Sequence, residues 1–404
     1  LRLEDFDYRL PQELIAQSPV EPRDDSRLMV LDRESGKVSH DRFYNLTQWL
    51  RPSDVLVLNR TKVLPARLFG IKEDTGARLE VLLLRPWEGR GVTCEGRGVT
   101  CEARGVTCET QIVTWEVLLR PAKRLRVGQT LLFSARVEEN GQWTDITDIT
   151  DTTDTTDSAD SADSADSADT TDSALVQQLR GHLVDVLPNG NRVMEFVCER
   201  PFDEVLGRIG RVPLPPYITT ELEDRDRYQT VYARETGSVA APTAGLHFTP
   251  ELLERVGLMG VEIAEVLLHV GLGTFRPVQC ENIREHQMHT EYYEISPETE
   301  ACLLQAKEQN RRIVAVGTTT ARALESWGLG GSHLQSTGWT DIFIYPGYEF
   351  RVVDALITNF HFPRSTLLML VSALAGRERV LAAYDEAVAW QYRFYSFGDA
   401  MLIV

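Results

Sequence analysis

Residues 311–327 read RRIVAVGTTTARALESW. The run Ile313-Val314-Ala315-Val316 has no polar alternation, so it describes a strand covered on both faces, without a wet side. It stops at Gly317, passes Thr318, Thr319 and Thr320, and enters a helical pattern bearing Arg322 and Glu325. A buried strand handing over to a helix is the unit of a mostly parallel sheet with helices on both faces. The plan recurs in GVEIAEVLLHVGLGTF (260–275), TDIFIYPGYEF (340–350) and DALITNFHFPRSTLLMLVSALAG (354–376). It also appears near the N-terminus, where SDVLVLNRTKV (53–63) carries a buried run from Val55 to Leu58.

Between these groups the texture changes. RLEVLLLRPWE (78–88) and TWEVLLRPAKRL (114–125) are near echoes, rich in Val and Leu. QTLLFSARVEENGQW (129–143) and GHLVDVLPNGNRVMEFVCE (181–199) alternate and are broken by Glu-Asn-Gly and Pro-Asn-Gly-Asn, which are hairpin signals. Residues 67–212 therefore read as an inserted antiparallel β-barrel domain. The fold class is α/β: a mostly parallel sheet domain built from both chain ends, 1–66 and 213–404, with the barrel between them. The Pro-rich link VPLPPYI (212–218) marks its exit.

Two segments look foreign to this plan. Residues 89–109 read GRGVTCE, GRGVTCE, ARGVTCE, a period of seven. Gly and β-branched residues give poor helix propensity and no sustained apolar seam, so this is not a coiled coil. Residues 144–174 are TDI, TTD and SAD triplets, which cannot bury apolar area against their chain entropy. Both read as low-complexity loops of the barrel, where insertions cost little. Calcium binding by the Asp tract is the functional alternative, but a monotonous triplet lacks the Gly-turned geometry such a loop needs.

The 404 residues are 43% hydrophobic, which supplies a sizeable core and excludes a disordered chain. Formal charge is −18, but ten Asp lie in the triplet tract, so everything else carries only −8. A local basic surface remains compatible with that balance. No apolar run approaches the roughly 18–20 residues of a membrane span. The opening LRLEDFDYRLP lacks the order of a secretion signal. Cys94, Cys101 and Cys108 are repeat copies, and Cys198, Cys280 and Cys302 are isolated, so a reduced cytoplasmic enzyme is the reading.

Four loops sit where α/β folds place ligands, after an apolar strand or before a capped helix. AAPTAGLHFTPELLERVG (240–257) offers Thr249 as cap, Pro250 at the first helical position, and the small-residue stretch Pro242, Thr243, Gly245 with His247. A tight turn with a packed histidine is the plainer reading. LLHVGLGTFRPV puts His269 at a strand end before Gly271, Gly273 and Thr274, but lacks the third glycine and helix of a dinucleotide site. The Gly317–Thr319 loop would suit a carboxylate or phosphate at a helix start, an ordinary threonine cap being the alternative. ITNFHFPRS adds Asn359 and His361. EHQMHTEYYEI (285–295) contains His289 and Glu291, which face the same way if the segment is extended. That suits an acid/base pair better than a three-ligand metal site. DRDRYQTVYA (224–233) packs Arg225, Arg227, Tyr228 and Gln229, able to hold an anion or stack a base, or else to form a solvated surface helix. No GxSxG elbow appears, so nucleophilic hydrolase chemistry is unsupported.

These stretches, with FDYRLPQELIAQSPVEPRDDSRLMVLDR (6–33), LVLNRTKVLPARLFG (56–70) and YRFYSFGDAMLIV (392–404), closely resemble the S-adenosylmethionine:tRNA ribosyltransferase-isomerase (QueA) family of queuosine biosynthesis. The resemblance spans nearly the whole chain except the two repeats. It implies transfer and isomerisation of the ribosyl moiety of S-adenosylmethionine onto 7-aminomethyl-7-deazaguanine at the tRNA wobble position. Epoxyqueuosine-tRNA forms, and adenine and methionine leave. It implies S-adenosylmethionine as co-substrate, no metal, no membrane, a cytoplasmic setting and a monomer. On that reading His247, His269, His289 and Glu291 surround the reacting sugar with His361 close by, and His269 and His289 are the leading candidates for the base. Thr318, Thr319 and Arg322 would hold the methionine carboxylate or a tRNA phosphate. Arg225, Arg227, Tyr228 and Gln229 would bind the nucleoside or its flanks. Arg120, Lys123, Arg124 and Arg126, the densest basic run of the barrel, would touch the RNA backbone. Two rivals stay open: a non-catalytic tRNA-binding adaptor, and a transferase or hydrolase acting on a free nucleotide.

Overall fold

The computed structural model describes residues 1–87, 99–100, 109–122, 125–134, 136–139, 142–145, 179–220, 222, 224–271, 278–330 and 335–404. Nearly all of both low-complexity loops, and Gly273, Thr274, Lys123 and Arg124, lie outside these residues. So does the side chain of Arg225. The chain divides into two compact units, Leu1–Leu64 with Leu214–Val404, and Pro65–Pro213.

In the first unit nine of the described strands form one mixed sheet, and Thr61–Val63 pairs in parallel with Glu235–Ser238 in a separate two-stranded sheet. The order of the nine is Thr337–Thr340, Glu291–Ile295, Glu262–Leu268, Val55–Asn59, Ile313–Val316, Ala355–Asn359, Ala400–Ile403, Arg27–Leu31, Val38–Arg42. Six of these nine run one way. The four central strands are mutually parallel, and antiparallel neighbours close both flanks. Val55–Asn59 is buried along its whole length, because the pleat sends Val55 and Val57 into one layer and Leu56 and Leu58 into the other. The first layer packs Leu324, Trp327, Leu368 and Val371. The second packs Phe248, Leu252 and Val256.

The helices start where their caps dictate. Thr249 Oγ1 accepts from Leu252 N at 3.1 Å with Pro250 in the first turn, and Ser365 Oγ accepts from Leu368 N at 3.2 Å. One boundary differs from the expectation. Thr318, Thr319 and Thr320 are the first turn of the helix Thr318–Gly328 and do not precede it. Gly317 is the cap, at φ 92° and ψ 149°, a conformation that a threonine cannot adopt without strain.

In the second unit six strands close into an antiparallel barrel: Arg67–Lys72, Arg78–Pro86, Glu109–Arg120, Arg192–Cys198, Leu179–Val186 and Thr130–Phe133. Leu187–Asn191 make the Pro-Asn-Gly-Asn turn, with Gly190 at φ 86°. Gly181 gives room inside, since a Cβ there would lie 2.9 Å from both Phe133 and Met194.

Candidate active site

The parallel strands end together at Asn59, Leu268, Val316 and Asn359, and the loops beyond them wall a cavity of ≈480 Å³. Gly317, Thr318 and Thr319 bring the start of a helix to this wall, where backbone N–H groups and the positive helix end would suit an anion. Opposite chemistry comes from Tyr217, Phe360, Phe362 and Tyr395. The Phe362 and Tyr395 rings stack at 3.6 Å and 23°. One wall thus suits a flat ring and another a carboxylate.

Behind the cavity runs a buried polar chain. Thr243 Oγ1, on the wall, donates to Asn359 Oδ1 at 2.9 Å, and Asn359 Nδ2 donates to Tyr395 O at 3.2 Å and to His247 Nε2 at 3.1 Å. His247 Nδ1 lies 2.7 Å from Ser26 Oγ. Because Nε2 accepts, the proton sits on Nδ1 and Ser26 receives it. Burial pushes this imidazole down to about 3, helped by Arg393, Arg23 and Arg227. His247 is therefore neutral, with both nitrogens committed. It orients Asn359 and does not line the cavity. His361 does line it, with Nε2 2.8 Å from Thr358 Oγ1, and burial pushes it also down to about 3.

His269 belongs to a second chain. Val270 N donates to Ser238 Oγ at 2.8 Å, Ser238 and Thr61 hydroxyls are 2.7 Å apart, and Thr61 Oγ1 is 2.9 Å from His269 Nδ1. A backbone N–H can only donate, and Ser238 is fully buried. Each hydroxyl proton then finds an acceptor if Ser238 donates to Thr61 and Thr61 donates to Nδ1. The His269 proton is left on Nε2, facing outward. Burial lowers the ring below its usual range, against the carboxylates Glu235 and Glu294. Gly237 is obligatory beside it, because a Cβ there would come within 2.4 Å of the ring.

Glu291 anchors a third group. It is buried, with Oε1 accepting from Gly271 N at 2.8 Å and Oε2 paired with Arg322 Nη1. His289 Nε2 lies 3.0 Å from Oε1, at ion-pair distance though not aligned as a hydrogen bond. Burial pushes this carboxyl up, but Arg322, His289 and the Gly271 amide outweigh it and the net shift is downward. Arg322 Nη2 stays buried without a partner. The residues from His269 to Gly271 tie the second and third groups together, and Val270 between them lines the cavity.

The family model described as Queuosine biosynthesis protein matches residues 3–403, across every one of these loops. This chain belongs to that family. Among family members it is 49% identical over 405 residues to the S-adenosylmethionine:tRNA ribosyltransferase-isomerase of Desulfitobacterium hafniense, and 47% identical over 405 residues to that of Desulforamulus reducens. Both alignments cover 100% of each chain. A crystal structure of S-adenosylmethionine tRNA ribosyltransferase from Thermotoga maritima aligns over 99% of this chain and 100% of that one, at 35% identity and a TM-score of 0.48.

The remaining family motifs are placed as follows. Gln229 brackets the backbone of Val63, accepting from its N and donating to its O, both at 3.0 Å. Tyr228 is fully buried, and Arg227 Nη2 donates to Val20 O at 2.7 Å while its Nε pairs with Glu21. Arg227 thereby ties this segment to the N-terminal loop, while Tyr228 packs edge-on against Phe397. Gly245 is enclosed below the wall, where a Cβ would meet Tyr232 Oη at 2.0 Å. Arg120 and Arg126 are exposed on the barrel unit. Among the described residues no group of three His, Cys, Asp or Glu is arranged to hold a metal, and no helix is long and apolar enough to cross a membrane. Sequence reasoning missed Ser26, Thr61, Ser238, Tyr217 and Tyr395. For Asn59, fully buried and bonded to both backbone groups of Leu268 at 3.0 Å, the one signal was a polar residue inside LVLNR.

Proposed function

We propose that this chain moves the ribosyl moiety of S-adenosylmethionine onto 7-aminomethyl-7-deazaguanine in the tRNA anticodon and isomerises it, giving epoxyqueuosine-tRNA, adenine and methionine. It acts in the cytoplasm as a monomer. The observation that carries the reading is the cavity at the strand ends, whose lining combines a helix start with stacked aromatic rings around a volume fit for a nucleoside. Full-length relatives named for this activity support it.

The chemistry divides among the three polar groups. His289, with Nε2 3.0 Å from Glu291 Oε1, takes the proton from ribose C5′, and the Glu291 carboxylate balances the imidazolium that forms. Arg322 keeps Glu291 ionised and retains Nη2 for the substrate. His269, neutral with its proton on Nε2, serves as a donor to the opened sugar. The amides of Thr318 and Thr319 take the methionine carboxylate, and Thr243, fixed by Asn359 and His247, orients the nucleoside. Gly271 supplies backbone close to the sugar. The sulfonium itself acidifies C5′, so the step asks for no metal and turnover should survive chelation.

The test is adenine release from S-adenosylmethionine, with and without an anticodon stem-loop carrying the modified base. Release only with the RNA supports the assignment. RNA binding without release leaves an adaptor, and release without RNA leaves a free-nucleotide enzyme.

A further inference from the structure

The strand Glu291–Ile295 alternates strictly: Glu291, Tyr293 and Ile295 are buried on one face, and Tyr292 and Glu294 point to the other. On that second face Tyr292 is directly opposite Trp339 of the neighbouring strand. On its other side His269 N donates to Tyr292 O at 3.0 Å. Two rings on neighbouring strands and the ring of His269, just past the end of the next strand, therefore stand in one row. His269 and Tyr292 are 6.1 Å apart at 26°, and Tyr292 and Trp339 are 5.7 Å apart at 67°. Trp339 closes the row on the edge strand and is 59% exposed. Edge strands ordinarily carry charge and avoid a bare indole. At the inner end, Val270 follows His269 and lines the cavity.

We infer that the row His269–Tyr292–Trp339 is a stacking platform for an unpaired base of the substrate RNA, adjacent to the nucleotide being modified. The inference rests on the tRNA reading above and adds where the neighbouring nucleotide lies. Aromatic side chains in register on a sheet are how single-stranded RNA is held without base-pair geometry. Strands are about 4.8 Å apart, so the row extends about 10 Å from the inner ring, the reach of one or two splayed nucleotides. Charge favours bases over phosphates as the occupant. Arg60, whose charge reaches His269, is held between Glu235 at 2.7 Å and Glu294 at 3.2 Å, which leaves carboxylates as acceptors beside the rings. A second copy of this chain on the same edge strand is the rival occupant.

The experiment compares wild type, Trp339→Ala and Trp339→Phe in RNA-dependent adenine release, varying the stem-loop and S-adenosylmethionine separately. Trp339→Ala should raise the KM for the stem-loop about tenfold or more, with the KM for S-adenosylmethionine unmoved, and Trp339→Phe should recover most of the loss. Stacking releases no counterions, so the factor should be the same at low and high salt. An RNA KM within about twofold of wild type overturns the inference, and so does a loss that disappears at high salt. Sedimentation in which Trp339→Ala only splits a dimer assigns the face to self-association and overturns it as well. Wild-type protein with no RNA-dependent release sinks the underlying tRNA reading instead, and that measurement is made first.

Discussion

His247 and His361 are enclosed imidazoles, each pushed by burial down to about 3 from an ordinary 6.5. The sign of the consequence is fixed by linkage. Above 6.5 both the folded and unfolded chains leave these rings neutral, so the native state keeps its full advantage. Between 6.5 and about 3 the unfolded chain binds protons that the folded chain refuses. Stability is then lost as pH falls, by up to about 1.4 kcal/mol per pH unit for each ring. Urea midpoints should decline steadily below about pH 6.5, and His247→Gln should reduce the slope by roughly one proton. A midpoint flat down to pH 4 would show that the rings titrate normally. His289 has a different prediction because its ring is partly open and leans on Glu291. His289→Ala should lower kcat about 10²- to 10⁴-fold with little change in the KM for S-adenosylmethionine. Wild-type turnover at saturating ligands would remove it as the base. At this scale the sequence offered residue types at strand ends and few of their partners. His289 and Glu291 could be paired from their spacing. The commitment of both His247 nitrogens could not, because Ser26 and Asn359 come from opposite ends of the chain. The engagement of Arg322 with Glu291 was equally hidden, for the helix face that Arg322 occupies depends on where its sheet neighbour lies.

Gly317 connects the strand Ile313–Val316 to the helix Thr318–Gly328, and its φ of 92° with ψ of 149° belongs to glycine almost alone. Space is not the constraint: a Cβ there would meet Thr319 Oγ1 at 3.5 Å and Ala244 Cβ at 3.8 Å, ordinary contacts. Gly317→Ala therefore tests backbone strain, and should cost about 1–3 kcal/mol and raise the KM for S-adenosylmethionine by tilting the Thr318 and Thr319 amides. Gly257, inside the helix Pro250–Leu258 with open space at its Cβ, is the control. Gly257→Ala should be neutral or stabilise by up to about 1 kcal/mol. Equal melting temperatures for the two variants would refute the strain argument. Elements of this kind were the most legible part of the chain. Apolar runs named the buried strands, Thr249-Pro250 and Ser365 named two helix starts, and Pro-Asn-Gly-Asn named a barrel hairpin, because each signal is local. The threonine run was misplaced by one turn because a glycine cap is written in a dihedral angle, and the sequence shows only the hydroxyls after it.

Sheet order is a property of the whole chain. Ala400–Ile403, buried along its length, pairs antiparallel with Ala355–Asn359 and parallel with Arg27–Leu31, so the last strand joins the first 31 residues to the rest of the sheet. No local pattern announces that position; only the need to cover apolar strands from both chain ends suggests a single sheet. Charge is the other property that must be read whole. The formal −18 would argue against an RNA-binding protein, but it is concentrated in the triplet tract, and the barrel segment 120–126 gathers Arg120, Lys123, Arg124 and Arg126. We propose that this run neutralises tRNA phosphates. Each phosphate contact contributes close to one unit to the slope of log affinity against log salt. Replacing all four by Ala should therefore weaken stem-loop binding at low salt and flatten that slope by up to about 3, while adenine and methionine release at saturating RNA continues. Arg120 and Arg126 are exposed, and an unchanged urea midpoint for the four-Ala variant separates a loss of affinity from a loss of fold. An unchanged slope would mean that the RNA backbone is held elsewhere. A slope flattened without any change at Trp339→Ala would separate phosphate binding by the barrel from base stacking on the sheet edge, two terms that a single dissociation constant cannot distinguish.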